Sequence, residues 1–197
     1  NGDGKFTSTA TFHVNTTETD SFLLHLNITL HNSTTLMRVN STTSSPNNVS
    51  YTSLADGTYF YNTTAYDYAG NSNSTSTRNV TVDTAIPSVA LTLTGSTQTT
   101  LTLTVTTNDT LSGINSTCTL DSSGKAPSIT GTGTSQTITD SGQTCGTAYT
   151  YVVTCRDRAM NAASDSKSFS TAACSTSGGG SSGGGSSSGS ASATWTN

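Results

Sequence analysis

Charge is scarce in this chain: 7 Lys plus Arg and 11 Asp plus Glu in 197 residues, a formal net charge of -4. Seven scattered cations cannot neutralise a run of phosphates, so a nucleic-acid interface is not expected. Nor does a mildly acidic chain gain from anionic lipid. Glu18 is the sole glutamate, so glycoside hydrolysis has no signal beyond a pair of aspartates brought together by folding. No Gly-x-Ser-x-Gly elbow presents a serine. The three histidines, His13, His25 and His31, fall on or beside strands in the first 31 residues, where they read as solvated strand residues rather than catalytic bases. No stretch approaches the ~20 consecutive apolar residues of a membrane span, and Asn1 does not begin a signal peptide. The expectations are therefore no enzyme, no cofactor and no membrane contact within this segment, any export signal or anchor having been removed or lying outside it.

What fills the space is serine and threonine, roughly two fifths of the chain, the bias of exposed, sugar-bearing surface proteins. In "SFLLHLNITLH" the residues Phe22, Leu24, Leu26, Ile28 and Leu30 share one parity, with Leu23 the misfit; His25, Asn27 and Thr29 share the other. That is the period of a half-buried strand. "VALTLTGSTQTTLTLTVT" repeats it, with threonines suited to a pleated outer face. Short strands with Gly, Asn and Asp turns between them, and no convincing helix, predict an all-β chain of antiparallel sandwiches.

Repetition sets the boundaries. "YFYNTTAYDYAGN" aligns without a gap on "YTYVVTCRDRAMN", placing Tyr59 on Tyr149, Tyr61 on Tyr151, Asp67 on Asp157 and Asn71 on Asn161. "NGDGKFTSTATFHVNT", "GNSNSTSTRNVTVDT" and "NAASDSKSFSTA" read as three versions of a last strand. Two modules follow, residues 18–85 and 86–174, with residues 1–17 as an orphan strand ahead of them and a Gly/Ser-rich tail, residues 175–197, behind. The orphan either belongs to a preceding module or, as an unpaired edge, completes the sandwich of a neighbouring copy.

"LADGTYFYNTTAYDYAGN" with "VTVDTAIPS" resembles the tandem immunoglobulin-like modules of archaeal and bacterial surface proteins, where strands F and G and the linker to the next module read in this way. The resemblance covers residues 50–174. It implies a tyrosine corner at Leu54, Asp56, Gly57 and Tyr59, in which the Tyr hydroxyl bonds the backbone of the preceding turn. The second module has "CGTAY" there instead, so a disulfide is expected to replace part of that corner. The fold carries many unrelated roles. The end of the tail is similar to the Gly/Ser-rich lead-in to the carboxy-terminal region of archaeal surface proteins, and its composition predicts a flexible linker.

Four cysteines, Cys118, Cys145, Cys155 and Cys174, allow three pairings. On the immunoglobulin-like topology that the resemblance implies, Cys118 lies early in the third strand, C, of its module and Cys155 late in the neighbouring strand F, both on inward parity. Cys145 precedes F and Cys174 follows G, at the opposite end. The pairing expected is Cys118 with Cys155 and Cys145 with Cys174, in an oxidising compartment. Ten asparagines fit the glycosylation sequon: Asn15, Asn27, Asn32, Asn40, Asn48, Asn62, Asn73, Asn79, Asn108 and Asn115. Chance accounts for roughly six in so Ser/Thr-rich a chain, but Asn27, Asn62, Asn79 and Asn115 all oppose the apolar parity of their strands.

Asp83, Asp109 and Asp157 have one further reading. The linker of a tandem sandwich enters the next module beside its BC and FG loops, where these carboxylates could converge on Ca²⁺. Bonding of each to its own turn backbone is the simpler expectation, and metal is not expected. The function these observations suggest is a glycosylated, non-enzymatic component of a surface filament or layer at the cell surface. Its partners would be other copies of itself or other surface proteins, together with covalent glycans. An adhesin stalk, monomeric and carrying a distal ligand-binding domain, is the alternative.

Overall fold

The computed structural model describes residues 4–19, 21–125 and 127–175; the Gly/Ser-rich tail from residue 176 onward lies outside them. Among the described residues there are strands and no helix, and so no helix long and apolar enough to cross a membrane. The first sandwich holds β1 (Lys5–Thr7), β2 (Phe12–Thr16), β3 (Leu23–His31), β4 (Leu36–Thr42), β5 (Asn47–Tyr51), β6 (Gly57–Asp67), β7 (Ser72–Ser74) and β8 (Arg78–Val82). One sheet runs β1-β8-β6-β3-β4, with β7 on β6, and it faces the two-stranded sheet β2-β5. The second sandwich holds β9 (Ser88–Ser96), β10 (Thr100–Asn108), β11 (Thr119–Ser122), β12 (Pro127–Thr132), β13 (Ser135–Ser141), β14 (Ala148–Arg156) and β15 (Ala162–Ser170). Its sheets are β12-β13-β10-β9 and β11-β14-β15.

Alternation puts the cores where it should. Leu26, Ile28 and Leu30 of β3 are buried against Phe12, Val14, Val49, Tyr51, Tyr59, Tyr61, Val80 and Val82. In the second module Leu91, Leu101, Leu103, Val105, Ile138, Tyr151 and Val153 do the same. Each such side chain contributes about 1.5–3 kcal/mol relative to exposure. On the outer faces the threonines and serines pair across strands: Thr58 with Thr81 (3.0 Å), Thr64 with Ser74, Thr150 with Ser168 and Thr154 with Ser164 (2.7 Å each).

Two expectations are overturned. Residues 5–16 are not an orphan strand, because β1 pairs in parallel with β8 and β2 pairs antiparallel with β5. Phe12 and Val14 are buried in the first core, so the first module begins with these strands and not at residue 18. Alternation at Phe12 and Val14 reveals a half-buried strand, but it does not say which sheet completes it. Phe22, expected inward, is 71% exposed. The ladder steps from Leu23↔Asp67 to His25↔Tyr66, so a bulge at Leu24 shifts the parity upstream of it.

Candidate functional site

The module junction gathers the polar side chains that the sequence singles out. It is built on a turn that occurs twice. In the first module the Asp67 carboxylate accepts the Asn71 N–H (2.8 Å) and the Asn71 side-chain amide (2.6 Å). The Asp67 N–H bonds Asn71 C=O at 3.1 Å, and Gly70 takes φ +87°. In the second module Asp157 accepts the Asn161 N–H at 2.9 Å and the amide at 2.7 Å, the Asp157 N–H bonds Asn161 C=O at 3.1 Å, and Met160 takes φ +77°. The Asp/Asn pair closes the same loop both times because each carboxylate oxygen finds one N–H of the same asparagine. Those bonds to Asn71, side chain first, hold the Asp67 carboxyl below its ordinary range.

In the second module the turn meets the linker. Asn161 also donates its side-chain amide to Asp83 C=O (2.8 Å), while the Asp83 carboxylate accepts Ala85 N–H (3.2 Å) and Ser112 N–H (3.0 Å). Toward the first module, Asp83 N–H bonds Thr7 C=O at 2.9 Å, and Asp56 accepts both N–H and hydroxyl of Thr84 at 3.0 Å. Asp109 binds its own turn through Leu111, Ser112 and Gly113 N–H groups at 2.7–3.2 Å. Both readings of the aspartates therefore describe the geometry. Each bonds turn backbone, and oxygens of Asp83, Asp109 and Asp157 also lie within 4.8 Å of one another, with Asp83 and Asp157 fully buried. These three are the residues that could hold a hard cation such as Ca²⁺.

The tyrosine corner is present. Tyr59 donates its hydroxyl to Ala55 C=O at 2.7 Å, and Leu54 is buried and gives its N–H to Ala10 C=O. The second module keeps the tyrosine and reverses the bond: Tyr149 Oη accepts Thr144 N–H at 2.9 Å. Beside it Cys145 is joined to Cys174. At the other end Cys118 is joined to Cys155, with Cα atoms 4.4 Å apart inside the core and Gln136 Oε1 accepting Cys118 N–H.

All ten sequon asparagines are exposed or half-buried. Asn27, Asn62 and Asn79 lie on the outer face of the sheet around β6, the first two accepting Ser41 and Thr29 hydroxyls. Of the histidines, His13 bonds Ser50 Oγ at 2.8 Å and His25 stacks on Tyr66 at 4.6 Å.

Two features escaped the sequence reading. Asp140 is fully buried, accepting the Tyr151 hydroxyl (2.7 Å) and the Gln143 amide, and Gly124 is required beside it because a Cβ there would meet Asp140 Oδ2 at 1.7 Å. Burial and then Asp140 raise the Tyr151 phenol above its ordinary range. The shared parity of Gln136, Ile138 and Asp140 was the available signal. The second feature is the ion pair Lys167–Asp165 (3.2 Å), which folds over the edge of β9: Asp165 accepts Leu91 N–H at 2.8 Å and Lys167 donates to Leu91 C=O at 2.7 Å.

Paired sheets, the corner and the disulfides define tandem immunoglobulin-like β-sandwich modules of a kind that fits an extracellular domain. Residues 3–84, the first module with β1 and β2 included, match the family model described as bacterial Ig-like domain. No curated protein matches the chain in sequence. Among solved structures, the fibronectin(III)-like modules of Clostridium thermocellum CbhA are 17% identical (TM-score 0.48), over 87% of this chain and 91% of theirs. The amphioxus IgVJ-C2 molecule is 11% identical (TM-score 0.40), over 87% and 99%. The human desmocollin-1 ectodomain is 15% identical (TM-score 0.38), over 86% and 31%. Immunoglobulin-like folds of this sort are typically structural rather than catalytic.

Proposed function

We propose that the chain is a non-enzymatic, glycosylated building segment of a cell-surface filament or surface layer, associating with other copies of itself. The observation that carries this reading is the junction. Asp83 is bonded backward to Thr7 and forward to Ser112 and Asn161, and Asp56 clamps Thr84. A linker tied on both sides suits modules that keep their axis under load. The ten exposed or half-buried sequons support a sugar coat, and with it the resemblance to archaeal-type surface glycoproteins.

Expressing residues 1–197 in an oxidising, glycosylating host and imaging the product by negative-stain electron microscopy tests the assembly. Fibres or sheets are expected; rods of two-module length that stay single at high concentration would instead favour an adhesin stalk. A downward gel shift on enzymatic deglycosylation checks the sugars, and an unchanged band would remove them from the proposal.

A further inference from the structure

The two modules differ at one sheet edge. In the second, β9 lies beside β10, sends Leu91 into the core, and has its own outer edge closed by Asp165 and Lys167. In the first, the strand before β2 pairs with β8 on the opposite sheet, and among the described residues β2 pairs with β5 alone. Where a counterpart of β9 would lie there is a groove of about 320 Å³, lined by Phe6, Thr11, Phe12, His13, Tyr61 and Val80. That volume is at the small end of the roughly 300–1,000 Å³ of ligand clefts. Phe6 beside it is 37% exposed. Next to Phe12, at 5.3 Å between ring centroids, the Tyr51 hydroxyl is buried without a partner among the described residues.

An unpaired edge over an apolar groove takes an extended segment: its backbone extends the sheet and alternate side chains enter the groove. The chain contains one such segment outside the described residues. "SASATWTN", residues 190–197, alternates Ala191, Ala193 and Trp195 with Ser192, Thr194 and Thr196, and Trp195 is the only tryptophan. We propose that this segment from a second copy adds to the open edge of β2, with Trp195 seated among Phe6, Phe12, Tyr61 and Val80.

A second copy is favoured by reach. Asn161, just before β15, is at the junction, and Cys174 follows the far end of that strand; at ~3.3 Å per residue, the nine residues of β15 alone span about 30 Å. Residues 175–189 are mostly Gly and Ser, and fifteen residues of such composition span ~20 Å r.m.s.. To return to its own first module the segment would have to stretch this linker past its r.m.s. span, which favours an acceptor on a second copy. This inference rests on the filament reading above and supplies its joint.

The single tryptophan makes the test direct. Emission of the intact, oxidised chain is followed with concentration beside sedimentation velocity. Expected is a blue shift that tracks association, reversal of both by excess synthetic peptide of residues 190–197, and at least ~30-fold weaker self-association in Trp195→Ala, the loss of an aromatic anchor. Trp195 lies outside the described residues, and circular dichroism checks that this variant keeps the folded modules intact. Fibres that form with solvent-exposed tryptophan emission, or that persist in Trp195→Ala, would overturn the joint and leave the filament reading standing. No assembly at any concentration, with exposed emission throughout, would overturn both. Blue emission from a monomer at the lowest concentration would place the strand in its own chain and overturn the second copy as the acceptor's source.

Discussion

The turns at Asp67–Asn71 and Asp157–Asn161 share their bonds to within 0.1 Å, yet one faces solvent and the other is packed against a linker. The same local chemistry closes a loop in the first module and joins two modules in the second. What differs is the surroundings: the second turn meets Asp83 C=O, and Asp157 is fully buried. The module edges diverge in the same way. The second module is crosslinked by two disulfides and has a charged cap on its β9 edge, while among the described residues the first has neither. Repetition thus supplies interchangeable parts, and the finish applied to each copy decides whether a surface is closed or available.

The comparison can be broken most forcefully at the crosslinks. Replacing Cys118 and Cys155 together by alanine opens a span of 37 residues and should cost the second module about 4 kcal/mol. Calorimetry should show its transition falling while that of the first module stays in place. Next come the turns. Asp157→Ala removes both carboxylate bonds to half-buried Asn161 and should destabilise the second module by ~1–3 kcal/mol, whereas Asp67→Ala, at the exposed copy, should cost clearly less in urea denaturation. A stabilising change sharpens the contrast. Met160 takes φ +77° where the first turn has Gly70, and Met160→Gly should raise the second module's stability by about 1 kcal/mol, relief of left-handed backbone net of glycine's chain entropy.

The smallest effect concerns pH. The Leu91 N–H, ahead of Lys167, holds the Asp165 carboxyl below its usual 3.8. A carboxyl whose folded value is depressed contributes stability that is present above the unfolded value and lost as pH falls through the folded one. The second module should therefore soften below about pH 3.8 in acid melts, and Asp165→Asn should flatten that dependence.

Much of the architecture was legible because its signals are local. Parity placed Leu26, Ile28 and Leu30 inward, and the gapless repeat matched Tyr59 to Tyr149. Those assignments located the cysteines well enough to pair them. What local pattern could not carry was partner choice: Phe12 and Val14 look the same whether β2 completes its own module or another. The bulge at Leu24, which exposes Phe22, depends on the register with β6 and leaves no mark in composition. At the junction the three aspartates were legible as a group, but the backbone donors from Ser112 and Ala85 were not, because turn N–H groups carry no side-chain signature.

The hydroxyl pairs that lace the outer faces, Thr58 to Thr81 and Thr150 to Ser168 among them, are neutral. Screening at high ionic strength leaves such neutral pairs untouched, so its effect falls on the charged parts, among them the carboxylates of the junction and the Lys167–Asp165 pair. The outer faces are thus laced by bonds that dilute buffer and brine leave equally strong.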